Sequence, residues 1–63
     1  MNKIPQFMVR YHNNKYNRIE ADTNIDNDVK MDLLRRLSRI PYQYERGLIT
    51  LDDAMMEIAS IDR

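Results

Sequence analysis

The sequence predicts an α+β fold, an N-terminal β-hairpin followed by an antiparallel helical hairpin, and three observations carry that prediction. Residues 6–11 alternate apolar and polar ahead of a turn-like pair, Asn13 and Asn14. Val29, Leu33, Leu34, Leu37 and Ile40 recur at the three-and-four spacing of one helical face. Gly47, the single glycine, stands just before Thr50, a residue type that caps helices.

The hairpin is expected over residues 6–21. Phe7, Val9 and Tyr11 fall on one side of the first strand, with Met8, Arg10 and His12 on the other. Asparagine tolerates the left-handed conformation that hairpin turns need, so residues 12–15 read as the turn and 16–21 as the return strand. A loop of odd length places Tyr11 opposite Asn17, Val9 opposite Ile19 and Phe7 opposite Ala21, and leaves Arg10 and Arg18 together on the outer face. A two-stranded ribbon is marginal in water by itself. It is therefore expected to lie on the helices, or to pair edge to edge with a second copy in a homodimer that covers Phe7, Val9 and Ile19.

The polar residues 22–28 supply a helix start, with Asn24 or Asp26 as N-cap and Asp28 in the first turn, where a carboxylate faces the positive end of the helix dipole. A helix over 26–46 follows. Pro41 removes a backbone donor and crowds the preceding turn at a cost of about 3 kcal/mol, which predicts a kink or break near it. Gly47 suits a left-handed C-cap. Thr50 with Asp53 three residues on forms a variant of the capping box, opening a C-terminal helix over 50–62 with Leu51, Met55, Ile58 and Ile61 as its apolar stripe. Leu33, Leu37, Ile40 and Tyr44 are expected to bury against Leu51, Met55 and Ile58.

Residues 34–61, with leucines in the first helix, then Arg46, Gly47, Leu48, Ile49 and Thr50, then the acidic pair Asp52 and Asp53, resemble the short helical hairpin known as the SHOCT domain. Pro41 and the Tyr42, Gln43, Tyr44 stretch depart from the Lys- and Glu-rich first helix of that family. The resemblance implies a non-catalytic interaction or oligomerisation role and names no ligand.

Sixty-three residues make one small domain, spanning 1–63, which buries only about 60% of the surface its unfolded chain exposes. Without cysteine there is neither a disulfide nor a thiolate zinc site to reinforce so thin a core. No apolar run approaches the roughly 20 residues of a membrane span, and no secretory leader is evident, so the expectation is a soluble cytoplasmic protein with no membrane association. Ten acidic and ten basic residues cancel, which removes any global field toward nucleic acid or anionic lipid. The Asn-, Asp-, Ile-, Lys-, Tyr- and Met-rich composition fits AT-rich coding sequence, and hence a low-GC bacterium or its phage as the source.

Catalysis needs a positioned nucleophile, base or metal in a shielded pocket, whereas this chain has one histidine, in the expected turn, and no cysteine or glycine-rich phosphate loop. An enzyme is not expected, nor a cofactor. Asp22, Asn24 and Asp26 match the opening positions of a calcium loop, but Asn27 stands where the turn glycine belongs and Leu33 where the bidentate glutamate belongs, so no metal is expected. What remains is a binding surface. Arg35, Arg36 and Arg39, with Tyr42, Tyr44 and Met56, have the composition enriched at protein interfaces, which points to another protein as partner and to a regulator or inhibitor of a host protein as the role. The alternative is nucleic-acid binding through the basic hairpin, using Arg10, Tyr11, Lys15, Tyr16 and Arg18.

Overall fold

The computed structural model describes residues 2–61 and consists of three helices: α1 (Gln6–Ala21), α2 (Asn27–Glu45) and α3 (Leu51–Ser60), with no strand among the described residues. The fold is therefore all-α, and the α+β expectation is overturned at its N-terminal half. The alternation over residues 6–11 is too short to separate a period of two from one of 3.6. What separates them is the wider spacing. Met8 and Ile19 lie eleven residues apart, about three full helical turns, and both are completely buried. His12, Lys15 and Tyr16 fall on the same side and are half-buried. Phe7 and Tyr11, assigned to the inner side of the strand, are 54% and 37% exposed, while Met8, assigned outside, sits in the core.

Asn13, Asn14 and Asn17 are weak helix formers, yet each costs only some tenths of a kcal/mol, against roughly 1.5 to 3 kcal/mol for fully burying a side chain such as Met8 or Ile19. Burial wins. Pro5, with φ −65° and ψ 149°, starts the helix, and its carbonyl accepts from Met8 N and Val9 N, both at 3.1 Å. At the other end Lys30 Nζ donates to the Glu20 carbonyl at 2.9 Å, placing a cation at the negative pole of α1. With no hairpin there is no strand edge, so the edge-to-edge homodimer loses its template.

The connection to α2 is a short polar turn in which Asp22 Oδ1 accepts from Asn24 N at 2.8 Å. Asp26 occupies the N-cap position in extended conformation, although its side chain makes no capping bond, and Asp28 lies in the first turn. The helix then runs through Pro41 to Glu45 without interruption, so the expected break does not occur. The donor that Pro41 lacks would have served the carbonyl of Leu37, one turn earlier. His12 Nε2, reaching across from α1, lies 3.2 Å from that carbonyl. A carbonyl can only accept, so this contact assigns the hydrogen to Nε2. The proline gap in α2 thus becomes a docking point for α1.

Arg46 and Gly47 close α2, with Gly47 at φ +78°, a left-handed conformation that glycine adopts without penalty. Gly47 N donates to the Tyr44 carbonyl and Leu48 N to the Gln43 carbonyl, both at 2.9 Å, the bonding pattern of a Schellman cap. Asn2 adds a second cap from outside: its N–H donates to the Glu45 carbonyl at 2.8 Å and its Nδ2 to the Tyr44 carbonyl at 3.2 Å. The capping box at α3 forms as the sequence predicts, with Asp53 N donating to Thr50 Oγ1 at 3.1 Å and Thr50 N to Asp53 Oδ2 at 3.5 Å. The helix expected over 50–62 spans Leu51–Ser60, with Ile61 as its extended C-cap, and residue 62 lies outside the described residues.

Met8, Ile19, Leu34, Leu37, Ile40, Ala54, Ile58 and Ile61 form one buried cluster, and Leu33, Tyr44, Leu51 and Met55 pack around it half-buried. The residues expected to bury between α2 and α3 all belong to this cluster or pack against it, but α1 also contributes two of the largest fully buried side chains, Met8 and Ile19. Leu37, at 0% exposure, joins them.

Two predictions follow from this packing. Leu37→Ala should cost roughly 2 to 5 kcal/mol, comparable with the ~3 to 5 kcal/mol a core of this size supplies, so urea titration followed by circular dichroism should find the variant largely unfolded at 25 °C. His12→Ala should cost about 1 to 2 kcal/mol by leaving the Leu37 carbonyl without its donor, and that cost should shrink toward zero in a Pro41→Ala background, where the backbone N–H returns. Equal costs in both backgrounds would show that His12 acts only through packing.

Candidate functional site

Since Leu34, Leu37 and Ile40 turn one side of α2 into the core, helix geometry fixes what faces away. Arg35, Arg39, Tyr42 and Arg46 stand at i, i+4, i+7 and i+11, within an arc of about 60° centred opposite the buried side and over about 16 Å of helix axis. All four are exposed, Tyr42 at 56%. Arg46 and Tyr42 hold each other: the guanidinium carbon lies 5.5 Å from the ring centroid, and one terminal nitrogen donates to the Tyr42 hydroxyl at 3.2 Å. The same line continues toward the N-terminus of α2 through Asp32 and Asp28. The outer face of this helix is therefore acidic in its first half and basic in its second.

The sequence-predicted partner residues divide across the molecule. Arg35, Arg39 and Tyr42 share the outer face of α2. Arg36 is turned aside toward α3 and pairs with Asp32 one turn back at 3.1 Å, the ion pair present among the described residues. Together with Arg39 it rims an open cleft of about 430 Å³ whose floor includes Leu33, Ile40 and Ile61 and whose far side is Glu57 and Ser60. Tyr44 is half-buried against the core. Met56 is 69% exposed but lies two residues from the buried Ile58, hence on the far side of α3. Arg46 is not among the sequence-predicted partner residues, although its position four residues past Tyr42 places it on the same helical face.

The change of fold regroups the residues of the nucleic-acid alternative: Tyr11, Lys15 and Arg18, at i, i+4 and i+7, share one side of α1, while Arg10 and Tyr16 turn away from it. On a hairpin Arg10 and Arg18 would share a face, but eight residues along a helix turns them about 80° apart. Lys15 and Tyr16 are half-buried, and Tyr16 stacks on His12 at 6.2 Å between centroids. No cluster of metal-ligating side chains occurs among the described residues, and Asp22 is occupied in its own turn. No described helix is long and apolar enough to cross a membrane. No family model, no curated protein and no solved structure matches this chain.

The outer face of α2 makes no demand on stability. Arg39→Glu should leave the unfolding free energy from urea titration within about 0.5 kcal/mol of the parent, as surface substitutions do, whereas Tyr44→Ala, which removes a ring packed on the core, should cost roughly 2 kcal/mol. A destabilisation by Arg39→Glu as large as that of Tyr44→Ala would assign Arg39 to the fold rather than to a free surface.

Proposed function

We propose that this chain is a non-enzymatic protein-interaction module whose contact surface is the outer face of α2. The observation that carries the reading is the alignment of Arg35, Arg39, Tyr42 and Arg46 on one exposed line, with the Tyr42 ring held by Arg46. Arginine and tyrosine are enriched at interface hot spots: tyrosine buries a large flat ring with few rotamers to lose, and the planar guanidinium of arginine forms several directed hydrogen bonds. Here the phenol is already partly ordered by its guanidinium neighbour, which lowers the entropy lost on binding. A regulator or inhibitor of a host protein is the role this reading favours. The SHOCT-like segment, residues 34–61, supports it in the same direction, since the exposed line falls within that segment.

Nucleic-acid binding is the weaker reading, for it rested on a basic hairpin that the helical N-terminus replaces, and the whole chain carries no net charge.

The test is photo-crosslinking in the cells that produce the protein, with a benzophenone amino acid at position 42 and, as a control, at the exposed Asn14 of α1. Capture of one protein from position 42, absent from position 14 and abolished by Arg35→Glu with Arg39→Glu, is the expected result. Capture from both positions alike, or of nucleic acid alone, would overturn the assignment.

A further inference from the structure

Building on that binding reading, we infer that the occupant of the α2 face is an acidic helical segment of another protein. The basic half of the face contains three guanidinium groups, and among the described residues Asp32 pairs with Arg36 rather than with any of them. Arg35, Arg39 and Arg46 follow one another at about 6 Å and then about 10 Å along the axis, the rise of four and seven helical residues. Carboxylates at i, i+4 and i+11 of a second helix laid parallel alongside repeat the same intervals, so each can meet one guanidinium in a fork.

An extended chain does not keep this register. Its same-face side chains recur every ~6.7 Å, so a carboxylate that meets Arg35 is followed by one near Arg39 but by none within about 3 Å of the level of Arg46. A long polyanion is disfavoured for a second reason. Beyond the basic stretch of about 16 Å it runs onto Asp28 and Asp32, where like charge repels it. Those two carboxylates also set how the partner's charges are distributed: its acidic residues lie over the C-terminal half of α2, and any basic residues over the N-terminal half. Tyr42, between Arg39 and Arg46, offers the flat apolar contact that a purely ionic surface lacks.

The inference is tested by following the amide spectrum of the ¹⁵N-labelled chain during titration with three probes. One is an alanine-based peptide of roughly 25 residues with glutamates at i, i+4 and i+11, long enough to be substantially helical. The second has the same composition with its glutamates scattered around the helix, and the third is an oligothymidylate. The matched peptide is expected to shift amides of residues 35–46, to bind at least about tenfold more tightly than the scattered one, and to lose that advantage with Arg39→Glu and Arg46→Glu. Equal binding of both peptides, or tighter binding of the oligonucleotide, would overturn the acidic-helix assignment. If no probe binds while position 42 still crosslinks a protein, the acidic-helix inference fails and the interaction module stands; if position 42 captures nothing either, both fail.

Discussion

The architecture depends on α2 remaining a single helix through Pro41. Both other helices pack on it, so a break at residue 41 would divide the core between two bodies, each too small to be stable alone. A proline in a helix interior leaves one carbonyl without its donor, here that of Leu37, a residue with no solvent exposure of its own. An unpaired polar group there would cost about 1 to 3 kcal/mol, a large fraction of what a domain of this size has to lose. His12 meets that demand from another helix. The defect in α2 and the position of α1 are therefore one feature.

The same economy governs the ends of the helices. An isolated helix of ten to nineteen residues is marginal in water, and its terminal groups need partners. Two of the three C-terminal ends are capped by distant residues: Asn2 donates twice to the end of α2, and Lys30 donates to the end of α1. These bonds span long stretches of sequence and so act like weak clasps, tying the N-terminal segment to the α2–α3 turn and the start of α2 to the end of α1. With eight buried side chains forming the core among the described residues, such polar ties contribute to selecting one arrangement of helices.

The free surface is a consequence of this packing. In a body 36 by 18 by 15 Å, α2 gives one side to α1 and α3, and its remaining side is left to solvent along its length. Residues there are not required by the core, so their chemistry can vary without unfolding the chain. That they are three arginines and a tyrosine, exposed and in line on the side turned away from the core, is what makes the surface a site. Tyr44 illustrates the contrast, for two positions further along the helix an identical ring is turned inward and belongs to the fold.

The α2–α3 hairpin was legible in the sequence because its signals are local. The period of Leu33, Leu37 and Ile40, the left-handed glycine at 47 and the reciprocal cap between Thr50 and Asp53 each act within a few residues, and each takes the form the sequence predicts. The partner residues were only partly legible: Arg35, Arg39 and Tyr42 were identifiable by type, but their alignment with Arg46 required an uninterrupted α2. What tertiary structure alone decided is the conformation of residues 6–21 and the passage through Pro41. Short-range alternation and three asparagines favour a strand and turn by amounts of some tenths of a kcal/mol each, and a proline opposes a helix, yet these preferences are overridden together. Burying Met8 and Ile19 on α2 brings His12 over the Leu37 carbonyl, so one docking event both makes α1 a helix and satisfies the gap in α2. That compensation acts between residues twenty-five positions apart, beyond the reach of any local sequence signal.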